Sequence, residues 1–371
     1  MRVIIAAAGT AGHINPGIAI ANKIKREDPK SQIMFIGTER GLEKDLVPRA
    51  GYELKTINAY GLSKKISIEN FKKILKTLKG YGEAKKIIKE FKPDIVIGTG
   101  GYICGATISS AHKLGIPTLL HESNAFPGRA VKAEARKTDC ILVSFEDAIP
   151  RISNAKKIVY TGTPIKIEKQ NYSLEQVKKM KQEMNIDTIL PTILVFGGSQ
   201  GVQKINEAIV SIAKNKLNDS YQIVWATGQS QYDNIKAEFL KEDLNIEYIK
   251  NMKIVPYIYN MDEVMNISDV IVSRSGAMTI TEISTLGKPS ILVPLPNVSN
   301  DHQLYNAKAL QNIGGAKIIL NKDLTGELLD SEIKDIIKNP QKMRDMGICA
   351  SKIAVSDVEN KIYNEIKNLV K

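Results

Sequence analysis

Four times in this sequence, a short apolar run ends in a glycine-containing turn that leads into a helix-forming segment. The four turns are GTAGH at 9–13, GTGGY at 98–102, GGSQG at 197–201 and SRSGA at 273–277. Short, nearly continuous apolar runs are typical of parallel strands that are buried on both faces. Strands that alternate with helices favour an open, doubly wound sheet. The pattern therefore predicts an α/β fold.

The strand-like runs form two similar sets, separated by a polar stretch at 166–187. In the first half, strands are predicted at 3–6, 33–36, 95–97, 118–120, 141–143 and 158–160. In the second half, they are predicted at 192–196, 222–226, 246–248, 270–272, 290–293 and 317–320. A chain of 371 residues is too long for one ordinary core. We therefore expect two Rossmann-like, doubly wound α/β domains that face a cleft.

The charge is distributed unevenly along the chain. Residues 1–165 contain 27 Lys and Arg against 15 Asp and Glu, a net charge of +12, whereas residues 166–371 contain 25 of each kind. This asymmetry indicates an anionic partner for the first half. A nucleic-acid-binding protein is an alternative, but no zinc-finger, RRM or helix-turn-helix signature supports it. We expect no nucleic acid among the partners.

The three cysteines, Cys104, Cys140 and Cys349, lack the spacing of a metal site or of a disulfide framework. The sequence shows neither a secretory pattern nor an apolar run long enough to cross a membrane. We therefore expect a cytoplasmic protein, without a bound metal or cofactor.

A nicotinamide cofactor is one candidate ligand for a glycine turn after a strand. The dinucleotide-binding pattern needs a glycine at position 7, where the sequence has Ala7. Its acidic residue should follow after about 20 residues, whereas Glu39 lies 30 residues beyond Gly9. This interpretation also leaves the turn at 197–201 unexplained. An NAD-dependent oxidoreductase is therefore the weaker hypothesis.

Six motifs, in this order, are similar to those of one family. They are AGTAGHINPG at 8–17, KPDIVIGTGGY at 92–102, GIPTLLHESNAFPG at 115–128, VFGGSQG at 195–201, SRSGAMTITEI at 273–283 and NDHQLYNA at 300–307. On these motifs the chain resembles the MurG family of glycosyltransferases. The resemblance implies a GT-B fold with an acceptor- and membrane-binding domain at 1–164 and a UDP-sugar donor domain at 165–349. It also implies a C-terminal helix at about 350–371 that packs back on the first domain.

The resemblance implies an inverting hexosyltransferase of peptidoglycan synthesis, and thus of cell-wall biogenesis, cell shape and cell division. It would move N-acetylglucosamine from UDP-N-acetylglucosamine to the 4-hydroxyl of the muramyl sugar in undecaprenyl-pyrophosphoryl-muramyl-pentapeptide. The implied partners are these two substrates and an anionic membrane surface, with the enzyme peripheral on the cytoplasmic face. A related UDP-sugar glycolipid synthase that acts on diacylglycerol is the nearest alternative.

The resemblance also assigns residues to the UDP-sugar donor. They are Thr10, Gly12, Lys166, Ser199, Tyr257, Ile258, Ala277, Met278, Thr279, Glu282, His302 and Gln303. Lys166 stands where the family usually has an arginine. Helix N-termini would stabilise the diphosphate, Glu282 would bind the ribose, and His302 and Gln303 would bind the sugar hydroxyls. Tyr257 either frames the uracil or packs at a loop.

Among the four histidines, only His13 lies on a glycine turn. A neutral imidazole can take the proton of an attacking hydroxyl at neutral pH. We expect nearby positive charge of the basic domain to keep His13 neutral by lowering its pKa. Several alternatives stay open here: His13 could be an N-cap or could only orient the acceptor diphosphate, and Glu122 could be the base or could orient His13. The acceptor-binding candidates are Gly100, Gly101, Tyr102 and Asn124.

Residues 64–92 contain ten lysines against three glutamates. A basic amphipathic segment suits an anionic membrane surface. We expect residues 71–81, interrupted by Gly80 and Gly82, to contact the membrane. Residues 84–91 are expected to form an ordinary helix with a core-facing side and solvated lysines.

Overall fold

The computed structural model describes residues 1–60, 68–198 and 203–370, and the side chains of residues 68–75 lie outside this description. The chain divides into two compact units. The first consists of Met1–Ile165 together with Val355–Lys371, and the second is Lys166–Ala354.

Each unit is built on one parallel sheet. The strands of the first unit are β1 (Arg2–Ala7), β2 (Gln32–Gly37), β3 (Glu53–Thr56), β4 (Ile95–Gly100), β5 (Thr118–Glu122), β6 (Cys140–Val143) and β7 (Ile158–Tyr160). Those of the second are β8 (Thr192–Phe196), β9 (Gln222–Ala226), β10 (Met252–Val255), β11 (Val270–Ser273), β12 (Ser290–Leu292) and β13 (Ala316–Ile318). The strand orders are β3-β2-β1-β4-β5-β6-β7 and β10-β9-β8-β11-β12-β13, with parallel neighbours. The predicted doubly wound α/β class is confirmed.

Helices connect the strands. They are α1 (Ala11–Glu27), α2 (Glu43–Arg49), α3 (Ile68–Phe91), α4 (Ile103–Lys113), α5 (Arg129–Glu134), α6 (Leu174–Glu183), α7 (Gln203–Lys214), α8 (Tyr232–Leu240), α9 (Met261–Ile267), α10 (Ala277–Leu286), α11 (His302–Asn312), α12 (Gly326–Ile337), α13 (Pro340–Ser351) and α14 (Val358–Leu369). Short 3-10 segments lie at Ala135–Lys137, Glu146–Arg151, Ile246–Tyr248 and Ser299–Asp301. No helix in the described ranges has both the length and the hydropathy that a membrane crossing requires.

The strand order reverses between β1 and β4 in the first sheet and between β8 and β11 in the second. Ligands of doubly wound folds bind outside the carboxyl ends of the strands at such a reversal. The turn at 9–13 follows β1, the turn at 98–102 overlaps the end of β4, and those that begin at Gly197 and Arg274 follow β8 and β11. The glycine turns thus mark both expected binding positions.

The apolar run of β1 is continuous because both faces of the sheet are covered. Ile4 belongs to the same buried cluster as Ile88 of α3. Its neighbour Ile5 points to the other face, where it shares a cluster with Ile24 of α1 and Ile366 of α14. Alternate residues of one strand therefore fill two separate cores.

One predicted strand is wrong. Residues 246–248 form a 3-10 segment, in which the side chain of Asn245 accepts a hydrogen bond from the Glu247 N–H. Ile246 is buried whereas Tyr248 is 81% exposed, although residues two apart in a strand lie on the same face. The edge strand of this sheet is instead β10, and the other predicted strands overlap observed ones.

Two elements with few apolar residues were not predicted. The edge strand β3 has the sequence ELKT and no buried residue. Helix α6 lies in the polar stretch at 166–187 and begins with a capping box, in which the side chains of Ser173 and Gln176 bond each other's backbone N–H groups. Pairing with the neighbouring strand defines β3, and the capping box defines the start of α6, so neither element depends on a hydrophobic face.

The expected interruption of the basic helix at Gly80 and Gly82 is also wrong, since α3 is continuous. A Cβ at Gly80 would overlap the carbonyl oxygen of Asn58, so glycine allows close packing there. In the second half of α3, Ala84 and Ile88 are buried, whereas Lys85, Lys86 and Lys89 are exposed. The ordinary helix expected at 84–91 is confirmed.

Candidate active site

His13 lies in the first turn of α1, directly after the turn that follows β1. Its Nδ1 is 3.0 Å from the carbonyl oxygen of Ala8. Because a carbonyl oxygen only accepts hydrogen bonds, Nδ1 carries the proton and Nε2 carries the lone pair. The imidazole is therefore held in the tautomer that can accept a proton at Nε2.

Burial lowers the pKa of His13 below its usual value of 6.5. The hydrogen bond to Ala8 and the negative charge of Glu43 act in the opposite direction and raise this pKa. The expected direction of the shift is confirmed, but the expected cause is wrong. Desolvation, not nearby positive charge, keeps the imidazole neutral.

Gly100 and Gly101, at the end of β4, provide the space that His13 and Ala8 occupy. Their φ angles are +132° and +85°, in the region that favours glycine. A Cβ at Gly100 would overlap the imidazole ring, and a Cβ at Gly101 would lie 2.5 Å from the carbonyl oxygen of Ala8. The structure therefore brings the two predicted residues against the predicted base. The next residue, Tyr102, is 37% exposed.

Glu122 ends β5, the strand beside β4, and is buried. Its carboxylate accepts hydrogen bonds from the backbone N–H groups of Asn124 (2.8 Å) and Gly128 (2.6 Å). It also accepts one from Nδ2 of Asn124 at 3.0 Å. The two predicted residues, Glu122 and Asn124, thus bond each other and hold the loop at 122–128.

In the second unit, α10 begins directly after β11 and the short turn that ends at Gly276. Gly276 is the N-cap residue, and no side chain of the described residues caps the helix. The N–H groups of Ala277, Met278 and Thr279 belong to the first turn, which has no intrahelical acceptors for them. Together with the helix dipole, these groups suit an anion such as a diphosphate.

Gln303 lies against the same turn. The Ser275 hydroxyl donates to the carbonyl oxygen of Gln303 at 2.8 Å, and Nδ2 of Asn306 donates to the carbonyl oxygen of Ser275 at 3.1 Å. The N–H of Leu295 donates to Oε1 of Gln303 at 2.9 Å. This bond orients the amide, so that its Nε2 is the group left for a ligand hydroxyl.

Arg274 supports the turn from within the unit. Its Nη1 donates to the carbonyl oxygen of Val293 at 3.0 Å and to Oδ1 of Asn321 at 2.8 Å. Burial lowers the pKa of Arg274 to about 10. The sequence alone did not reveal that Arg274 supports this turn, although the position of the arginine between β11 and α10 was visible.

His302 begins α11 after a backbone segment with unusual conformations. Asn297, Asn300 and Asp301 have φ angles of 60°, 56° and 49°, which are uncommon outside glycine and cluster at functional sites. Nδ1 of His302 lies 2.9 Å from the carbonyl oxygen of Ser299 and therefore donates to it. Nε2 is then an acceptor for a ligand hydroxyl.

Glu282 lies on α10, six residues into the helix. Burial raises the pKa of Glu282 to about 7. Across residues 1–60, 68–198 and 203–370, its carboxylate has no hydrogen-bond partner. A half-buried carboxylate of this kind can accept bonds from the hydroxyls of a ligand.

Tyr257 is 57% exposed and contacts Tyr259 edge to face, with ring centroids 5.0 Å apart, whereas Ile258 is buried. The ring of Tyr257 is therefore not packed into the core of its unit. Lys166 is exposed at the start of the second unit, and Thr10 and Gly12 lie in the first unit beside His13. Ser199 lies outside the described residues. Among the described His, Cys, Asp and Glu side chains, no group of three or more is arranged to hold a metal.

The profile of the glycosyltransferase family 28 N-terminal domain matches residues 3–143, and that of the family 28 C-terminal domain matches residues 192–362. A relative from Acetivibrio thermocellus is 41% identical over all of this chain and 99% of its own length. It is named UDP-N-acetylglucosamine–N-acetylmuramyl-(pentapeptide) pyrophosphoryl-undecaprenol N-acetylglucosamine transferase. A relative of the same name from a Thermoanaerobacter species is 42% identical over the full length of both chains.

Among solved structures, MurG from Acinetobacter baumannii superposes with a TM-score of 0.76 at 28% identity, over 99% of each chain. UDP-GlcNAc 2-epimerase from Neisseria meningitidis, bound to UDP-GlcNAc, has a TM-score of 0.64 at 15% identity and covers 99% of this chain. The second match concerns the fold alone.

Proposed function

This chain belongs to glycosyltransferase family 28, and we propose on that basis that it transfers N-acetylglucosamine from UDP-N-acetylglucosamine to the muramyl sugar of undecaprenyl-pyrophosphoryl-muramyl-pentapeptide. The relatives with this activity in their names match over the full length of the chain. The structural observation that carries the proposal is the His13 imidazole, which has a protonated Nδ1 and a basic Nε2 at the strand-order reversal of the first sheet.

The proposed reaction is a direct displacement. Nε2 of His13 takes the proton from the 4-hydroxyl of the muramyl sugar as that oxygen bonds to the anomeric carbon. The bond from the anomeric carbon to the diphosphate breaks, and its electron pair leaves with UDP, so the configuration inverts. The hydrogen bonds of Glu122 to its own loop support a structural role for that carboxylate and favour His13 as the base.

We assign the donor to residues of the second unit. The first turn of α10 stabilises the charge that develops on the diphosphate. Glu282 binds the ribose, Tyr257 frames the uracil, and His302 and Gln303 bind the hydroxyls of the N-acetylglucosamine. The support is that, within the described part of the chain, Nε2 of Gln303 has no acceptor and Nε2 of His302 is left to accept.

Product analysis tests the activity itself. Labelled UDP-N-acetylglucosamine and a lipid-linked muramyl-pentapeptide should yield a lipid-linked disaccharide. Diacylglycerol with UDP-hexoses is the control for the related glycolipid synthases and should yield no product. Transfer to diacylglycerol, without transfer to the muramyl acceptor, would reject the proposal.

For the donor site, we expect Glu282→Ala to weaken the binding of UDP-N-acetylglucosamine by about 1.5–3 kcal/mol, because the ribose hydroxyls lose a charged acceptor. The pKa of Glu282 is about 7. The wild-type affinity should therefore fall as the pH decreases below 7, where the carboxylate becomes protonated, and the variant should lack this dependence. Calorimetry on both sides of pH 7 measures both effects.

Glu282→Gln is the matched control, because it keeps the size of the side chain but does not ionise. Its affinity should depend on pH less than that of the wild type in this range. An unchanged affinity in folded Glu282→Ala would contradict the role of Glu282 in ribose binding.

We also propose that the enzyme works peripherally on the cytoplasmic face of the membrane. The support is the exposed part of α3, where Leu78 is 61% exposed between the exposed lysines Lys76 and Lys79. Phe71 and the neighbouring lysines of the expected membrane segment lie outside the described side chains. A lipid-linked acceptor requires contact of this kind.

Reversal of Lys76 and Lys79 to Glu should weaken binding to anionic liposomes by at least about 30-fold, since each lysine near such a surface contributes about 1 kcal/mol. Reversal of Lys85 and Lys89, on the core-packed part of the same helix, is the control and should have a smaller effect. Liposome flotation measures both. Equal binding of the first variant and the wild type would show that α3 is only a solvated helix.

A further inference from the structure

Glu43, the first residue of α2, is a fully buried carboxylate that joins two turns. Its Oε1 accepts hydrogen bonds from the Thr38 N–H at 2.8 Å and from the Thr38 hydroxyl at 2.6 Å. Its Oε2 accepts one from the Gly9 N–H at 2.9 Å. A buried carboxylate is costly unless it is bonded in this way, and the proposed reaction has given Glu43 no role so far.

The Gly9 N–H and the Ala8 carbonyl belong to the same peptide group. One end of this group donates to Glu43, and the other end accepts the Nδ1 proton of His13. Hydrogen bonds at the two ends of a peptide group polarise each other and strengthen together. The Ala8–Gly9 peptide group therefore connects the carboxylate to the imidazole.

We propose that Glu43 is a positioning residue for His13 and acts through the Ala8–Gly9 peptide group. It fixes the orientation of this group, and thus the tautomer and the direction of the ring. Its charge stabilises the imidazolium that forms when Nε2 accepts the hydroxyl proton. No proton moves to Glu43, and Nδ1 keeps its own. This inference rests on the proposed role of His13 as the base.

The surroundings of the carboxylate are shaped to hold it in place. A Cβ at Gly37 would lie 2.6 Å from Cγ of Glu43, and a Cβ at Gly41 would overlap the carboxylate itself. The Leu42 N–H donates to the carbonyl oxygen of Gly9 at 3.4 Å, so Gly9 is held at its carbonyl as well as at its N–H. Gly9 has a φ of +99°, which a larger residue would adopt at a cost.

The electrostatic contributions at His13 are simple enough for a clear test. Among the described residues, the charge of Glu43 acts on the ring and raises the pKa of His13 against the effect of burial. The Cys104 thiol accepts from the Gly100 N–H at 3.3 Å and donates to the Gly100 carbonyl oxygen at 3.2 Å, and burial raises its pKa to about 12 and keeps it neutral. Gly100, Gly101 and Ala8 contribute no charge. Loss of the Glu43 charge should therefore lower the pKa of His13.

The test uses Glu43→Gln in the full chain. We expect kcat to fall by about 10- to 100-fold, the size of effect known for the outer partners of metal-bound histidines, without a change in KM for UDP-N-acetylglucosamine. NMR titration of the His13 imidazole should show a lower pKa than in the wild type. The ascending limb of the pH–rate profile should move to lower pH with it.

The matched control is Glu134→Gln, another buried carboxylate of the first unit, which accepts a hydrogen bond from the Ser109 hydroxyl at 2.6 Å. It should leave kcat and the pKa of His13 unchanged. Glu43→Asp keeps the charge on a side chain one methylene shorter, and should lower kcat with a smaller pKa change. This second variant provides the test if Glu43→Gln does not fold.

An unchanged pKa of His13 in folded Glu43→Gln would overturn the inference, whether or not kcat falls, because a loss of packing alone lowers kcat without moving the pKa. Failure of the base hypothesis gives a different result. In that case His13→Ala would retain its turnover, while the NMR shift would still report the connection between Glu43 and His13.

Discussion

Replacement of His13 by alanine is expected to lower kcat by about 100- to 10,000-fold, the usual contribution of a general base. The affinity for UDP-N-acetylglucosamine should hardly change, because most of the donor candidates, among them Glu282, His302 and Gln303, belong to the second unit. Burial lowers the pKa of His13 below 6.5. The wild-type rate should therefore rise with pH through an ionisation below that value, and the variant should lose this limb.

Steady-state kinetics over a pH series measures both effects. His112→Ala is the control, since His112 is exposed on α4 and should be replaceable without loss of rate. If His13→Ala kept the wild-type limb, the base would have to be another group, and Glu122 would become the candidate.

Gly100→Ala is expected to reduce kcat by about 100-fold, because a small misplacement of a catalytic group has effects of this size. The new Cβ would overlap the His13 ring, and the φ of Gly100 is +132°. The variant should also be less stable by about 1–3 kcal/mol, the cost of a strained backbone conformation. Kinetics and thermal unfolding separate the two effects.

Gly115→Ala is the matched control for the strain. Gly115 also has a positive φ, +71°, but a Cβ there would meet open space, and the residue is not part of the proposed site. It should lose stability without losing turnover. Equal kcat values for Gly100→Ala and the wild type would show that the glycine does not shape the position of His13.

Local patterns in the sequence predicted much of the fold. The apolar runs of β1, β4, β8 and β11 and the glycines after them are contiguous in the chain, so each strand and its turn could be recognised on its own. The prediction of a strand failed where a buried apolar side chain belongs to an irregular segment. Residues 246–248 have a strand-like pattern, but Ile246 fills the core from a 3-10 segment and β10 forms the edge.

The candidate site likewise contains residues that could be selected from the sequence and residues that could not. His13, Gly100 and Gly101 could be selected because their turns are visible in the sequence. Glu43 could not, since it acts on Gly9 across 34 residues of chain through a backbone N–H. The cause of the His13 pKa shift was also inaccessible, because desolvation depends on packing between distant segments, whereas the net charge could be counted from the sequence.

The position of α14 has a consequence for how the protein is made. Ile362 and Ile366 are buried in the same cluster as Ile20 and Ile24 of α1, although the whole second unit is translated between them. Domains generally fold as they are synthesised, but the first unit is synthesised in two parts. The nascent chain therefore keeps an apolar stripe of α1 uncovered while the second unit emerges from the ribosome. A chain released prematurely before Val355 would carry a finished second unit beside an unfinished first one.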